Sequence, residues 1–273
     1  MKIFNKKKRI SEIINLYDVF FFDLYGVTHN GVSLFPDILN IFKKIKILKK
    51  KILFISNAPR QSVKIKKFLK QLGLNRSLYF DVITSGDITR ENYLNKLKKK
   101  KYYFIGSNND KDFCRGLNIF EEKNLKKSDF ILNLGLNDDE NIDKYNKTLI
   151  EAAEISLLMI CVNPDIEVVR GNKKEFCAGA LALKYEEFGG NVKYFGKPYI
   201  DIYKNAMQKI GFKDKKKILV IGDSLRTDIL GASNFNIDSA LVLSGIHGKI
   251  KEIEKICKKT NIYPKFLFNS LKW

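Results

Sequence analysis

Residues 18–31 read D-V-F-F-F-D-L-Y-G-V-T-H-N-G. Four apolar residues, Val19 to Phe22, run without alternation into an acid, Asp23, and a glycine-containing turn follows at once. That is the pattern of a strand covered on both faces, and such a strand delivers its terminal carboxylate to the rim of a sheet. Further strand-like runs lie at Ile52–Ile55, Asp81–Thr84, Tyr102–Ile105, Phe130–Leu134, Leu157–Val162, Ile218–Ile221 and Ala240–Leu243. Between them lie helical spacings. Ile38, Ile41, Phe42, Ile45 and Leu48 form one, and Val63, Ile65, Phe68, Leu69 and Leu72 another, with Gly73 as its C-cap. Strand alternating with helix predicts an α/β fold on a mostly parallel, Rossmann-like sheet, with ligands at the carboxyl ends of its strands.

The chain of 273 residues is 45% hydrophobic and carries 20 Phe and 12 Tyr, which excludes a disordered protein. Fifty basic residues against 30 acidic ones give a formal charge of +20. The excess is mostly lysine in short runs (Lys6-Lys7-Lys8, Lys43-Lys44, Lys98 to Lys101) and no nucleic-acid motif accompanies it, so no nucleic-acid partner is expected. A positive field favours anionic substrates such as phosphate esters. The four cysteines, Cys114, Cys161, Cys177 and Cys257, form no C-x-x-C pair and read as reduced thiols of a cytoplasmic protein. No run of 18 apolar residues and no signal-peptide core occurs, so no membrane association is expected. Polar stretches at Thr84-Ser85-Gly86-Asp87 and from Asn191 to Pro198 flank a middle block with strands and helices of its own. The expected division is a core over 1–86 and 187–273, interrupted by an inserted α/β domain over 87–186.

Three strand ends carry chemistry. One ends in Asp23, one in Ser56-Asn57, and one in Gly222-Asp223-Ser224-Leu225-Arg226-Thr227-Asp228; Gly196-Lys197-Pro198 precedes the last. Converging at one rim, these groups supply carboxylates for a hard divalent cation such as Mg²⁺, an ammonium to neutralise charge, and a hydroxyl with turn N–H groups for phosphate oxygens. One carboxylate can act as a nucleophile.

D-x-Y-G-V, S-N, G-K-P and G-D-S-x-x-T-D, in that order, resemble the four motifs of the haloacid dehalogenase (HAD) superfamily. Asn163-Pro164-Asp165 and Cys177-Ala178-Gly179-Ala180 resemble segments of its subclass IIA, the p-nitrophenyl-phosphatase-like branch, and the long gap from Ser56 to Lys197 has room for that branch's α/β cap. The resemblance implies a Mg²⁺-dependent hydrolase of a small phosphorylated metabolite, a sugar phosphate or a nucleotide, and it admits a homodimer. It implies Asp23 as nucleophile and metal ligand, the Tyr25 carbonyl as a second ligand, Ser56 and the Asn57 N–H on the phosphoryl group, Lys197 holding nucleophile and phosphate together, Asp223 on the metal, and Asp228 on the metal through water or orienting its neighbours. Taken singly, Ser224 and Thr227 read equally well as helix caps, and Asn163-Pro164-Asp165 as an ordinary turn.

Tyr25 departs from the phosphatase pattern, which places there the acid that protonates the leaving group. A phenol with a pKa near ~10 is a poor base at neutral pH. Three readings follow: a phosphatase in which His29 replaces the missing acid, as in a similar branch patterned D-x-W-G-V-x-H-x-G; a dehalogenase, whose motif D-x-Y-G-T needs no leaving-group proton; or a non-catalytic module that binds a phosphorylated metabolite.

Overall fold

The structure is a computed structural model and describes residues 5–137, 140–171, 173–243 and 250–273. Seven strands form a wholly parallel sheet: β1 (Asn5–Lys7), β2 (Val19–Phe22), β3 (Lys51–Ser56), β4 (Asp81–Thr84) and, far along the chain, β12 (Ile218–Gly222), β13 (Asp238–Val242) and β14 (Phe266–Phe268). Their order is β1-β14-β13-β12-β2-β3-β4. Between β4 and β12 in sequence lies a second parallel sheet, made of β5 (Lys100–Ile105), β6 (Ile119–Glu121), β7 (Phe130–Asn133), β8 (Met159–Cys161) and β11 (Val192–Tyr194), in the order β11-β8-β7-β5-β6. A separate antiparallel hairpin joins β9 (Glu167–Arg170) to β10 (Lys173–Phe176).

The central strands bury every residue of Val19–Phe22 and Ile218–Gly222, as expected where helices cover both faces. One covering helix, α1 (Ile38–Ile47), buries Ile38, Ile41, Phe42 and Ile45 under Phe22 and Phe54. The next, α2 (Ser62–Gln71), is followed by Gly73 at φ +90°, a left-handed position that glycine adopts without strain. On the inserted sheet lie α4 (Asn146–Glu154) and α5 (Ala178–Glu187); α6 (Ile200–Ile210), α7 (Leu230–Asn234) and α8 (Ile250–Thr260) follow among the last four strands.

Regular elements occupy both polar stretches that flank the middle block. Thr84-Ser85-Gly86-Asp87 opens a helix: Thr84 caps α3 (Ser85–Asn92) by accepting from the Asp87 N–H, and α3 packs on β4 and α6. Its Gly86 faces the Pro59 carbonyl so closely that a Cβ there would lie 2.1 Å away. At the other end β11 pairs with β8, so the inserted sheet runs past 186 to Tyr194. The chain leaves the first sheet near Tyr93 and returns at Phe195, and those two rings touch, with centroids 5.7 Å apart.

Candidate active site

The strands that end in Asp23, Ser56 and Asp223 are β2, β3 and β12. They are direct neighbours, with Phe22 paired to both Ile221 and Phe54. Three carboxyl ends therefore open on one rim, as in other open α/β sheets. The β2 turn is tied down locally: Thr28 Oγ1 donates to the Asp23 carbonyl at 2.7 Å, and the N–H groups of Thr28 and His29 donate to the Leu24 carbonyl.

Lys197 lies at the centre. Its Nζ donates to Asp23 Oδ1 and to Asp228 Oδ1, each at 2.7 Å, with the lysine side chain only 3% exposed. Burial alone would lower the ammonium pKa, but Asp228, Asp23 and Asp165 outweigh it and hold the value well above that of an ordinary lysine. Burial pushes the Asp23 carboxyl upward, while Lys197 pulls it back and Asp228 adds to the rise. Asp23, Asp223 and Asp228 place carboxylate oxygens within 4.8 Å of one another, all three buried.

Two glycines make this crowding feasible. Gly26 sits at φ +75°, and a Cβ on it would lie 1.9 Å from Asp223 Oδ2; a Cβ on Gly222 would lie 2.1 Å from Asp228 Cγ. After β12 the chain takes a turn of π-helix, Leu225–Ile229, before α7. That wide turn returns Asp228 to Lys197, and Ser224 caps it by accepting from the Thr227 N–H at 3.3 Å. A clustered, oxygen-only donor set suits Mg²⁺ and other hard divalent cations, so the residues fit the metal that the sequence implies.

Ser56 is buried, and its Oγ accepts from the Ala58 N–H at 3.2 Å. The Asn57 side chain is a clamp: Oδ1 accepts from the Lys197 N–H at 2.7 Å, and Nδ2 donates to the Lys197 carbonyl at 3.1 Å and to Asp165 Oδ1 at 2.8 Å. Tyr25 and His29 stack edge to face, 4.6 Å between centroids, and His29 meets Phe68 in the same way at 5.3 Å. His29 Nδ1 accepts from the Gly31 N–H at 3.0 Å, so the ring proton sits on Nε2, and burial lowers its pKa to about 4. A neutral imidazole holding its proton on Nε2 can donate a hydrogen bond, yet it is too weak an acid to protonate an alkoxide usefully.

Two cavities meet over Asp23, of about 170 and 800 Å³, and both are lined by Asp23, Tyr25, Asp165 and Val168. The larger lies between the first sheet and the inserted unit. Arg60–Asp110 at 2.9 Å and Lys64–Asp112 at 2.5 Å join the first sheet's side to the inserted unit beside it, and at the smaller cavity the Gly171 N–H donates to the Asn30 carbonyl at 2.9 Å. Asp165 is the notable addition. Asn163-Pro164-Asp165 marked its place in the sequence, but only the fold brings it into the lining of the cavities that Asp23 also lines.

Residues 20–120 match the family model of haloacid dehalogenase-like hydrolases, and residues 194–273 match that of HAD-hydrolase-like proteins. A 4-nitrophenylphosphatase of Schizosaccharomyces pombe is 25% identical over 99% of this chain and 97% of its own. The crystal structure of a haloacid dehalogenase-like hydrolase from Brucella suis superposes with a TM-score of 0.87 at 28% identity, covering 97% of this chain and all of that one. A possible sugar phosphatase of the HAD superfamily from Cytophaga hutchinsonii does so with 0.83 at 25% identity, over 98% of each chain. With family models on both parts of its first sheet and relatives aligned along nearly its whole length, the chain belongs to the haloacid dehalogenase (HAD) superfamily, in subclass IIA.

Proposed function

We propose that the protein is a Mg²⁺-dependent phosphatase of a small phosphorylated metabolite, working through an aspartyl-phosphate on Asp23. The observation that carries this reading is Lys197 bridging Asp23 and Asp228 at 2.7 Å, beside Asp223 and beneath the cavities. Asp23 Oδ attacks phosphorus while Lys197 offsets charge on the phosphoryl oxygens. Ser56 Oγ and the turn N–H groups after β3 bind the other oxygens. Asp23, the Tyr25 carbonyl and Asp223 would hold Mg²⁺, with Asp228 supporting through Lys197 or water. When bound, the metal supplies Lewis-acid neutralisation of the transferring group.

The buried carboxylate cluster favours this reading over a dehalogenase, where displacement of halide by Asp23 has no use for a cation site. The larger cavity, about 800 Å³, is roomy for a leaving group of sugar or nucleoside size. Four buried free thiols suit a reducing cytoplasm. No helix among the described residues is long and apolar enough to cross a membrane. We read the partner as the substrate alone, not nucleic acid, and a homodimer as compatible with the fold.

The test is phosphate release from a panel of phosphomonoesters with Mg²⁺ and with EDTA, for wild type and Asp23→Asn. Metal-dependent release lost in Asp23→Asn supports the proposal. Halide release from 2-haloacids without metal would replace it with the dehalogenase. Tight binding of a phosphorylated ligand with no turnover would leave the binding module.

A further inference from the structure

We propose that Asp165 is the proton-handling carboxyl of this reaction, taking the part for which Tyr25 is unsuited; the inference rests on the phosphatase reading above. Displacement at phosphorus is roughly in line, so the leaving oxygen departs on the side facing away from Asp23. The phosphatase pattern reaches that oxygen from the position of Tyr25, so with a phenol there the carboxyl has to come from another part of the cavity lining. Tyr25 and His29 stand on the same loop as Asp23, and the His29 ring is wedged between Tyr25 and Phe68 with Nδ1 already taken by Gly31. Asp165 comes from the inserted unit, on the loop after β8, and lines both cavities that meet over Asp23.

Its position is fixed from several sides. Oδ1 accepts from Asn57 Nδ2 at 2.8 Å, its N–H donates to Asn163 Oδ1 at 3.0 Å, and its carbonyl accepts from the Gly179 N–H at 3.0 Å. Arg226 holds the preceding carbonyl, that of Pro164. Gly179 is needed for this approach, because a Cβ there would lie 2.5 Å from the Asp165 carbonyl oxygen. A rigidly held carboxyl of this kind is what proton transfer at a defined point requires. Burial raises its pKa against the pull of Lys197, the direction a leaving-group acid needs.

The steps balance. Asp23 Oδ bonds to phosphorus, the bond to the leaving oxygen breaks, and that oxygen takes the Asp165 proton. Water then attacks phosphorus from the same side and gives its proton to Asp165. The bond to Asp23 breaks, which restores both carboxyls and frees phosphate.

Asp165→Asn separates this role from simple positioning, since the amide oxygen can still accept from Asn57. Turnover would be compared on p-nitrophenyl phosphate, whose leaving group departs unprotonated, and on glycerol phosphate, whose alkoxide requires a proton. We expect a loss of about 10²–10⁴ on the alkyl ester. With the aryl ester we expect a burst of one p-nitrophenol per site followed by slow turnover, because the phosphoenzyme forms and then waits for its base. Asp165→Ala should regain alkyl-ester turnover in added formate, which guards against a folding defect in either variant. Equal losses on both esters with no burst and no rescue, or unchanged rates, would overturn the proposal. A wild type that turns over neither ester, nor any other in the panel, would instead sink the phosphatase reading together with it.

Discussion

His29 offers the sharpest quantitative test, because its burial makes it a pH-dependent element of stability. The imidazole is 1% exposed, and its pKa falls from 6.5 to about 4 through desolvation. A folded-state pKa below the unfolded one means that the native state resists protonation. The stabilisation is therefore complete above pH ~6.5 and is lost as pH falls toward 4. The drop corresponds to about 3 kcal/mol, of which about 2.5 kcal/mol is gone by pH 4.5. The perturbation is His29→Asn, whose carboxamide oxygen can accept from the Gly31 N–H but does not titrate. Urea unfolding of both proteins at pH 7.5 and 4.5 gives two differences in stability. The wild-type advantage should shrink by about 2.5 kcal/mol between them, other groups cancelling in the comparison. An advantage equal at both pH values, or a His29 NMR titration centred near 6.5, would refute the reasoning. Phosphate release at neutral pH should change by less than about tenfold, since the ring is neutral there and a general acid would cost more.

Two further outcomes follow from the centre of the site. Lys197→Met leaves Asp23 and Asp228 buried without their cation, so metal-free unfolding should show a loss of about 3–5 kcal/mol, partly restored by Mg²⁺; unchanged metal-free stability would contradict the bridging role. Gly26→Ala puts a Cβ 1.9 Å from Asp223 Oδ2 at a backbone φ of +75°, so titration calorimetry should show Mg²⁺ affinity lowered at least tenfold while far-UV circular dichroism stays native. Wild-type affinity in this variant would show that the crowding is relieved elsewhere.

The long apolar strands were legible because burial on both faces leaves only apolar residues. Val19–Phe22 and Asp81–Thr84 appear with the expected ends, and Ile52–Ile55 gains one residue at each end. Strands β1, β6, β9, β10, β11 and β14 passed unread, since runs of three or four residues such as Lys173–Phe176 carry no periodicity apart from their partners. Thr84-Ser85-Gly86-Asp87 read only as a polar flank for a physical reason: small polar residues that suit a turn also suit a capped helix start, with Gly86 close against the Pro59 carbonyl. In the site, Asp23, Asp223, Asp228 and Lys197 could be chosen from motif order, but that β2, β3 and β12 lie side by side is a property of strand pairing. Asp165 was visible as part of a subclass IIA segment or a turn, not as a site residue, because its partner Asn57 lies 108 residues away.

The contact between Tyr93 and Phe195 has a consequence for how the molecule can be rebuilt. The inserted unit begins and finishes at almost one point in space, so the first sheet is joined to it as to a single enlarged loop. Excising residues 94 to 194 and closing the gap with a short glycine-serine turn should leave the seven strands able to pair, with Asp23 and Lys197 still in register. A unit attached in this way can be exchanged for another of different shape, altering which ester is admitted while Asp23 and Lys197 stay where they are, provided the new unit again brings a carboxyl to the place of Asp165.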